Sequence, residues 1–402
     1  ATGVVGKGIR PAASGGKNDM KRFKTAWKEW AEKVACDHAK RLNLYGLQKL
    51  VMRAVAESGE CLILKRINPN SKYRLELMVL EGDYIDHNQH HAYGMTNPDG
   101  SFDHYGIRYD RDYRRVGIWV YEKHPMEGGF KSNLVPMSDV IHVFEVLRAG
   151  QSRGVPMGVA SFVRMNDFAK YEDAQLLRQQ VAACFSVFVR QGTGIGTGAA
   201  AGAYDDRYEK IEPASIQYLA PGEEVTFGNP PVTEGYESYS RWQLRAIAAA
   251  YRVSYEALTG DYSNANFASG RMGWIQMQQS FDAQQRDVLI PALDQIAEWF
   301  TGVLLIQGVL RAEVLVEWTT PRREMLDPTK ETDSLVAQVQ SGLKSYAEAV
   351  RELGYEWADT LDEIKEVQTV IDEKKLTISA DYRTQMKPQT ATNQSPPPDK
   401  KA

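Results

Sequence analysis

Residues 140–156 read Val140-Ile141-His142-Val143-Phe144-Glu145-Val146-Leu147-Arg148-Ala149-Gly150-Gln151-Ser152-Arg153-Gly154-Val155-Pro156. A long helical pattern comes next and contains Tyr171-Glu172-Asp173-Ala174. Val140–Phe144 has the β-branched and aromatic composition of a strand. Gly150 to Gly154 supplies turn residues. Pro156 suits the first turn of a helix, where its missing N–H would have no partner anyway. The stretch therefore predicts a strand, a tight turn, and a helix reaching about Val189.

Upstream, residues 1–19 are rich in Gly, Ala, Ser and Lys and read as an extended entry segment. Phe23, Trp27, Trp30 and Val34 recur at helical spacing and predict a helix over Met20–Ala39. Leu47, Leu50, Val51 and Ala54 predict another over Leu42–Ser58, ended by Gly59. Short strands are expected at Cys61–Lys65, Tyr73–Leu77, His104–Tyr109, Val116–Tyr121 and Val140–Phe144. Turns such as Asn68-Pro69-Asn70 and Asn97-Pro98-Asp99-Gly100 separate them. This is a mostly local antiparallel sheet packed by the preceding helices.

Downstream, the Gly/Ala run 192–202 is low-complexity, and Ile211–Phe227 carries two short strands around Pro221-Gly222. A helix is expected over Tyr239–Leu258. A polar loop comes after it over Thr259–Ala268, then a long helix from Ser269 to about Ile306 that Pro291 should kink. Val314–Trp318 reads as a strand and Lys330–Leu376 as amphipathic helices, while the tail beyond Arg383 reads as disordered. No internal repeat is evident.

With 402 residues, 43% of them hydrophobic, the chain can bury a sizeable core in two or three units. A net charge of −4 gives no global basic field, which argues against a protein that coats nucleic acid. Cys36, Cys61 and Cys184 are too scattered for a disulfide framework or a zinc site, so a reducing compartment is expected. The most apolar windows, Trp299–Leu310 and Trp242–Tyr251, are shorter than the ~20 residues a membrane span needs. The opening lacks Met and an apolar signal region; a trimmed start and no secretory targeting are expected.

Candidate chemistry is thin. The glycines of 192–202 are followed by Ala-Tyr-Asp-Asp with no Lys before Lys210, so a phosphate loop is excluded. His87, His90 and His91, with Asp86 and the more distant His104, could supply zinc ligands. Their Asn/Gln surroundings read instead as a solvated turn. His142 reads as a satisfied structural histidine. Asp205-Asp206 and Glu223-Glu224 lie in loops, where nothing would shift a carboxyl toward acid–base work. No catalytic residue, metal site or cofactor is assigned. The rival reading is a cytosolic metal-dependent enzyme built on His87, His90 and His91.

The strand ending in His142, the Gln151-x-Arg153-Gly154-Val155-Pro156 turn and the helix after it resemble the lambda-type family of tailed-bacteriophage portal proteins. Leu219-x-Pro221-Gly222-Glu223-Glu224, Leu258-Thr259-Gly260-Asp261-Tyr262-Ser263, Asn266-Phe267-x-Ser269-x-Arg271 and Asp327-Pro328-x-Lys330-Glu331 come in the family's order. Each match alone is weak; the ordered set covers nearly the whole chain. The departures are Gly270 and Gly273, each costing up to ~1 kcal/mol of helix stability, and the family segment expected before Gly8-Ile9-Arg10.

The resemblance implies an α+β portal fold. Its parts would be a mixed α/β wing (1–156), a first stem helix (157–189), a small α/β clip insertion (190–236) and a second stem helix (237–258). A channel loop (259–268), a kinked wing helix and strand (269–325), a helical crown (326–383) and a disordered tail (384–402) complete it. It implies a non-enzymatic ring of twelve copies at one capsid vertex, in the virion and in the host cytoplasm during assembly. Double-stranded DNA passes through such a ring. Its partners would be the large terminase, the major capsid and scaffold proteins, and head-completion or tail adaptor proteins, with the clip as docking edge and no membrane involved.

Within that frame Tyr262, Ser263, Asn264 and Asn266 are the candidate DNA-channel residues. A polar, nearly uncharged loop touches phosphates weakly, whereas each Lys or Arg contact would steepen salt-dependent binding. Arg164, Lys170, Arg178, Arg241, Arg245 and Arg252 are the stem basic residues that either face DNA or form ion pairs between subunits with acids such as Glu172, Asp173 and Glu237.

Overall fold

The structure, a computed structural model, describes residues 1–92, 94–184, 188–191, 223–226, 235–323, 325 and 327–376. Among these residues the chain opens with α1 (Thr2–Val5), β1 (Arg10–Ser14), α2 (Lys17–Ala31) and α3 (Leu44–Glu57). Seven strands come next: β2 (Glu60–Ile67), β3 (Leu75–Glu81), β4 (Phe102–His104), β5 (Ile107–Tyr109), β6 (Arg115–Tyr121), β7 (Ser132–Pro136) and β8 (Val140–Phe144). Then come α4 (Phe162–Cys184), β9 (Phe188–Gln191), β10 (Glu223–Thr226), α5 (Tyr236–Ala250), α6 (Tyr255–Thr259), α7 (Phe267–Gln284) and α8 (Ile290–Ile306). The described chain closes with β11 (Leu315–Thr319), α9 (Pro328–Gln340), α10 (Tyr346–Glu352) and α11 (Trp357–Glu373).

These elements form two compact units. The first holds Leu50–Lys65 and the described residues of Leu77–Ala292. It contains a three-stranded sheet in the order β3-β2-β8 and a four-stranded antiparallel sheet β4-β5-β6-β7. Leu62, Leu64, Leu80, Ile85, Ile107, Ile118, Val120 and Val140, drawn from both sheets, make one buried cluster. β2 and β8 are buried on both faces, Glu60–Leu64 without interruption, so they read as continuous apolar runs instead of an alternating pattern.

The second unit joins Thr2–Lys49 and Arg66–Glu76 to the described residues from Leu293 onward. Its centre is aromatic. Phe300 stacks on Trp30 with centroids 4.4 Å apart, and Phe23, Trp27 and Tyr73 pack around it edge-on. The buried Trp30 indole N–H donates to the Leu75 carbonyl at 2.8 Å, so the largest side chain is both packed and hydrogen-bonded. The segment expected to be plain extended entry supplies β1, which pairs antiparallel with β11 from Arg10↔Thr319 to Ser14↔Leu315.

Several helix limits differ from expectation. The first helix stops at Ala31 and is followed by a 3-10 turn, Val34–Cys36. The helix after Pro156 ends at Cys184 instead of Val189. Phe188–Gln191 is a strand that pairs with Glu223–Thr226, because Phe188 and Val189 suit a ladder better than a helix end. The helix expected over Tyr239–Leu258 is broken: Arg252 adopts φ 55°, and Ser254 caps the short α6 through the Ala257 N–H.

Pro291 lies inside an unbroken helical run. A π turn, Gln285–Leu289, precedes it, with the Ile290 N–H reaching back to the Gln285 carbonyl. The wider turn makes room for the carbonyl four residues back that a proline ring would strike. Gly270 and Gly273 are helical despite their cost, because Asn266 and Ser269 form a reciprocal capping box at the start of α7.

Ala268–Ile306 is long and apolar enough by length and composition to cross a membrane, with mean hydropathy 1.4 in its most apolar window. That corrects the expectation drawn from Trp299–Leu310 alone. Its apolar residues Leu293, Ile296, Ala297, Phe300 and Leu304 are buried in the second unit, which is the behaviour of a core helix. Phe300→Ala should cost ~3–5 kcal/mol. A urea midpoint that drops with an unchanged slope would show it.

Candidate functional site

The 140–156 stretch closes around one buried carboxylate, Glu60. Arg153 Nε donates to Glu60 Oε1 at 2.8 Å and Oε2 at 3.1 Å, and its Nη2 also donates to Oε1. The Gly154 N–H donates to Oε2 at 2.8 Å and His142 Nε2 donates to the same oxygen at 2.9 Å. Arg115 Nη2 donates to His142 Nδ1. A guanidinium has no acceptor, so Nδ1 is the bare nitrogen and the proton sits on Nε2, aimed at Glu60. Gln151 braces the turn, accepting from Leu147 N and donating to the Glu145 and Arg153 carbonyls.

The glycines are required by contact. A Cβ on Gly154 would stand 2.2 Å from the Gly59 carbonyl oxygen. One on Gly59, at φ +93°, would stand 2.5 Å from the Val155 carbonyl carbon. Burial alone would raise the Glu60 carboxyl; the hydrogen bonds from His142 and Arg153 overcome it and hold the group at about 2. Burial lowers His142 to about 4. His142 is thus a satisfied structural histidine, placed in the middle of β8.

The candidate channel loop runs from Gly260 to Asn266, between α6 and α7. Gly260 ends α6 in the left-handed region. Asp261 organises the turn after it: its Oδ1 accepts from the Ser263 N–H at 3.0 Å and the Ser263 hydroxyl at 2.5 Å, and its Oδ2 from the Tyr255 hydroxyl at 3.0 Å. Asn264, with its amide oxygen turned to the guanidinium, accepts from Arg241 Nη1 at 2.8 Å and Nη2 at 3.1 Å. Asn266 accepts from the Ser269 N–H at 2.8 Å. Three of the four polar residues singled out for DNA therefore hold the loop's own shape. Tyr262, 65% exposed, is the one whose side chain has no hydrogen-bond partner among the described residues.

The basic residues of the helices separate in the same way. Arg241 pairs with Glu237 at 2.7 Å and lies 3.8 Å from Asp261. Arg252 pairs with Glu145 at 2.6 Å. Arg245 lies over the Trp242 and Tyr255 rings, and Arg164 donates to Gln243 on α5. Arg178 is half-buried and engaged. Of the expected acid partners, Glu237 pairs within its own helix and Glu172 accepts from the Tyr236 hydroxyl. Lys170 is exposed without a partner among the described residues. So is Arg271, in the first turns of α7. Arg271 was readable only as part of a motif, not as a free charge.

Comparison with known proteins places this architecture. The family model "Phage portal protein, lambda family" matches residues 1–285. The chain belongs to that family. It is 22% identical over 370 residues to a probable portal protein of Halomonas phage phiHAP-1, covering 87% of this chain and 70% of that protein. It is 21% identical over 281 residues to portal protein B of Escherichia phage lambda, covering 60% of this chain and 51% of that protein; it thus spans about half the length of that relative. Among solved structures it resembles the neck of a native GTA particle computed with C12 symmetry, with TM-score 0.51 and 16% identity over 88% of this chain and 87% of that one. The neck of an empty GTA particle computed with C6 symmetry gives 0.53 at the same identity and coverage. At such identity the likeness concerns the fold alone.

Two features singled out in this portal-family chain remain. The histidine cluster does not converge. Asp86 accepts from Tyr121, Ser132, Gln89 and Asn88, and His91 Nδ1 accepts from the Asp103 N–H. His90 stacks on Tyr105 at 4.6 Å. His87, His90 and His91 are not among the described groups whose ligand atoms lie close enough to share an ion, so the metal-enzyme reading gains no support from their placement. Among the described residues the group close enough to share an ion is Glu81, Asp83 and His124, whose His124 Nδ1 already accepts from the Met126 N–H. The clip expected at 190–236 lies, apart from the β9–β10 pairing and the start of α5, outside the described residues.

Linkage sets a pH prediction for the first unit. Below the ordinary histidine value of 6.5 the unfolded chain binds a proton that folded His142 refuses down to about 4. Below 4.5 the same holds for Glu60 down to about 2. Stability should be level above about pH 7 and fall as the solution is acidified, by on the order of 3 kcal/mol across the histidine window. Denaturant melts at stepped pH check this, and His142→Gln should flatten the limb between 6.5 and 4. In the loop, Asn266→Ala should cost ~1 kcal/mol through the lost cap. Tyr262→Ala should stay within ~0.5 kcal/mol in thermal melts.

Proposed function

We propose that this chain is the subunit of a closed ring at one capsid vertex, through which double-stranded DNA enters on packaging and leaves on ejection. The observation that carries the ring is exposed apolar surface toward both ends of α4. At about 100° per residue, Phe162 and Val163 near its start and Leu176 and Leu177 three to four turns on lie on one side of the helix, with Asn166, Lys170 and Asp173 between them, and they are 45%, 75%, 57% and 61% exposed. The opposite side bears Arg164 and Tyr171, which meet Gln243 and Tyr239 of α5. Large apolar side chains left in water on the side away from α5 call for another surface. Covering four such side chains contributes roughly 4 kcal/mol per contact, and a cyclic ring repeats it at every junction.

In this reading α4 and α5 are the stem helices, 260–266 is the channel loop, 190–236 the clip and 326–383 the crown. The twelvefold symmetry of the related neck particle favours twelve copies. The clip would dock the large terminase during filling, then head-completion or tail adaptor proteins, with major capsid and scaffold proteins around the wing. ATP hydrolysis would belong to a separate motor protein. The location would be the virion, after assembly in the host cytoplasm.

End-on electron-microscopy views of the purified chain should show rings, without ATPase activity. Val163→Asp with Leu177→Asp should yield folded subunits, unchanged by circular dichroism, that no longer close. Monomers in every buffer for the parent chain would overturn the reading.

A further inference from the structure

We propose that Arg241 is the positioning residue of the channel loop, a latch that fixes its reach from α5, and not a charge offered to DNA. The latch is a geometric observation. Its consequence for passage rests on the channel reading above.

Arg241 lies on α5, and its side chain is 25% exposed. Its planar fork meets acceptors on two sides. Glu237, one turn earlier on the same helix, accepts at 2.7 Å. From the loop, the Asn264 amide oxygen accepts from both terminal nitrogens, at 2.8 and 3.1 Å, and the Asp261 carboxylate lies 3.8 Å away. Guanidinium donors are fixed in one plane, so one side chain can hold two separated loop residues at once; an ammonium is a point charge on a flexible stem. Asp261 is itself bound to Ser263 and Tyr255, and those hydrogen bonds lower its carboxyl pKa. The cation therefore grips the residue that organises the turn.

The grip has two consequences. The positive charge of Arg241 is answered by two carboxylates, so it is not left free for a passing phosphate. Tyr262, lying between Asp261 and Asn264, is held outward by residues on either side of it. Loop position and wall charge are then set by the same side chain.

The test is hydrogen exchange of the full chain, read at loop peptides spanning 258–268, for Arg241→Ala, Arg241→Lys, Asp261→Asn and Arg241→Ala with Asp261→Asn. The latch predicts about tenfold faster exchange at the loop in Arg241→Ala, with α5 unchanged. It predicts no rescue by Lys, and a double variant no faster than Arg241→Ala alone because the two act as one unit. Unchanged loop exchange, full rescue by Lys, or strictly additive effects would overturn it. Should Arg241→Ala unfold α5, Asn264→Ala carries the same prediction from the loop side, and unchanged exchange there would equally overturn it. DNA packaging measured with the same variants separates the two readings. A loosened loop with normal packaging keeps the latch and removes the loop from the passage. Impaired packaging with an unmoved loop overturns the latch.

Discussion

A buried carboxylate has to be answered by donors, and in this chain that requirement fixes how the first unit is joined. Glu60 opens β2, His142 lies in β8, and Arg153 and Gly154 belong to the turn that launches α4. Removing one partner from such a buried charge costs ~3–5 kcal/mol, because the remaining charge is left unpaired. The network therefore specifies which backbone segments meet more sharply than an apolar contact could. Gly59 and Gly154 complete the arrangement, since any side chain on either would push the two segments apart. The family's Gln-x-Arg-Gly-Val-Pro turn is a clasp, and its residues are structural in a literal chemical sense.

The same economy recurs at the loop between α6 and α7. Ser263, Asn264 and Asn266 have the hydroxyls and amides that a ligand would want, yet each has a hydrogen-bond partner within the chain. Short polar side chains are favoured in turns because they mimic backbone partners. The Tyr262 ring is left outward, and Lys170 and Arg271 are exposed cations with no partner among the described residues. A surface with few uncommitted charges gives a polyanion little to hold.

Local pattern carried much of this. The aromatic helix at 17–31, the strands β2, β3, β5, β6 and β8 and the family motifs were legible because each depends on residues within a few positions, whereas β7 and the Asn266 cap that starts α7 ahead of Ser269 were not read. Pairings set by distance were not legible either. Nothing near Arg10 announces a partner at Thr319, and nothing near Phe188 announces Glu223. The π turn was hidden because proline signals a disturbance without saying how the helix absorbs it. The basic residues were visible as charges, and the Glu237–Arg241 spacing is that of one helical turn, but the pairing of others depends on Glu145 and Asp261, which only the fold brings near.

Arg252 shows the meaning of a break in a helix. A side chain with a β-carbon sits at φ 55° where glycine would rest without penalty, a conformation that costs about 1–2 kcal/mol. Its guanidinium reaches Glu145, just past the strand that carries His142. The backbone discomfort and the ion pair belong together: the bend aims the side chain, and the side chain anchors the bend. The five residues of α6, and the loop beyond them, therefore hang from a pivot moored to the strand layer, free of the rigid rod that α5 would otherwise have continued.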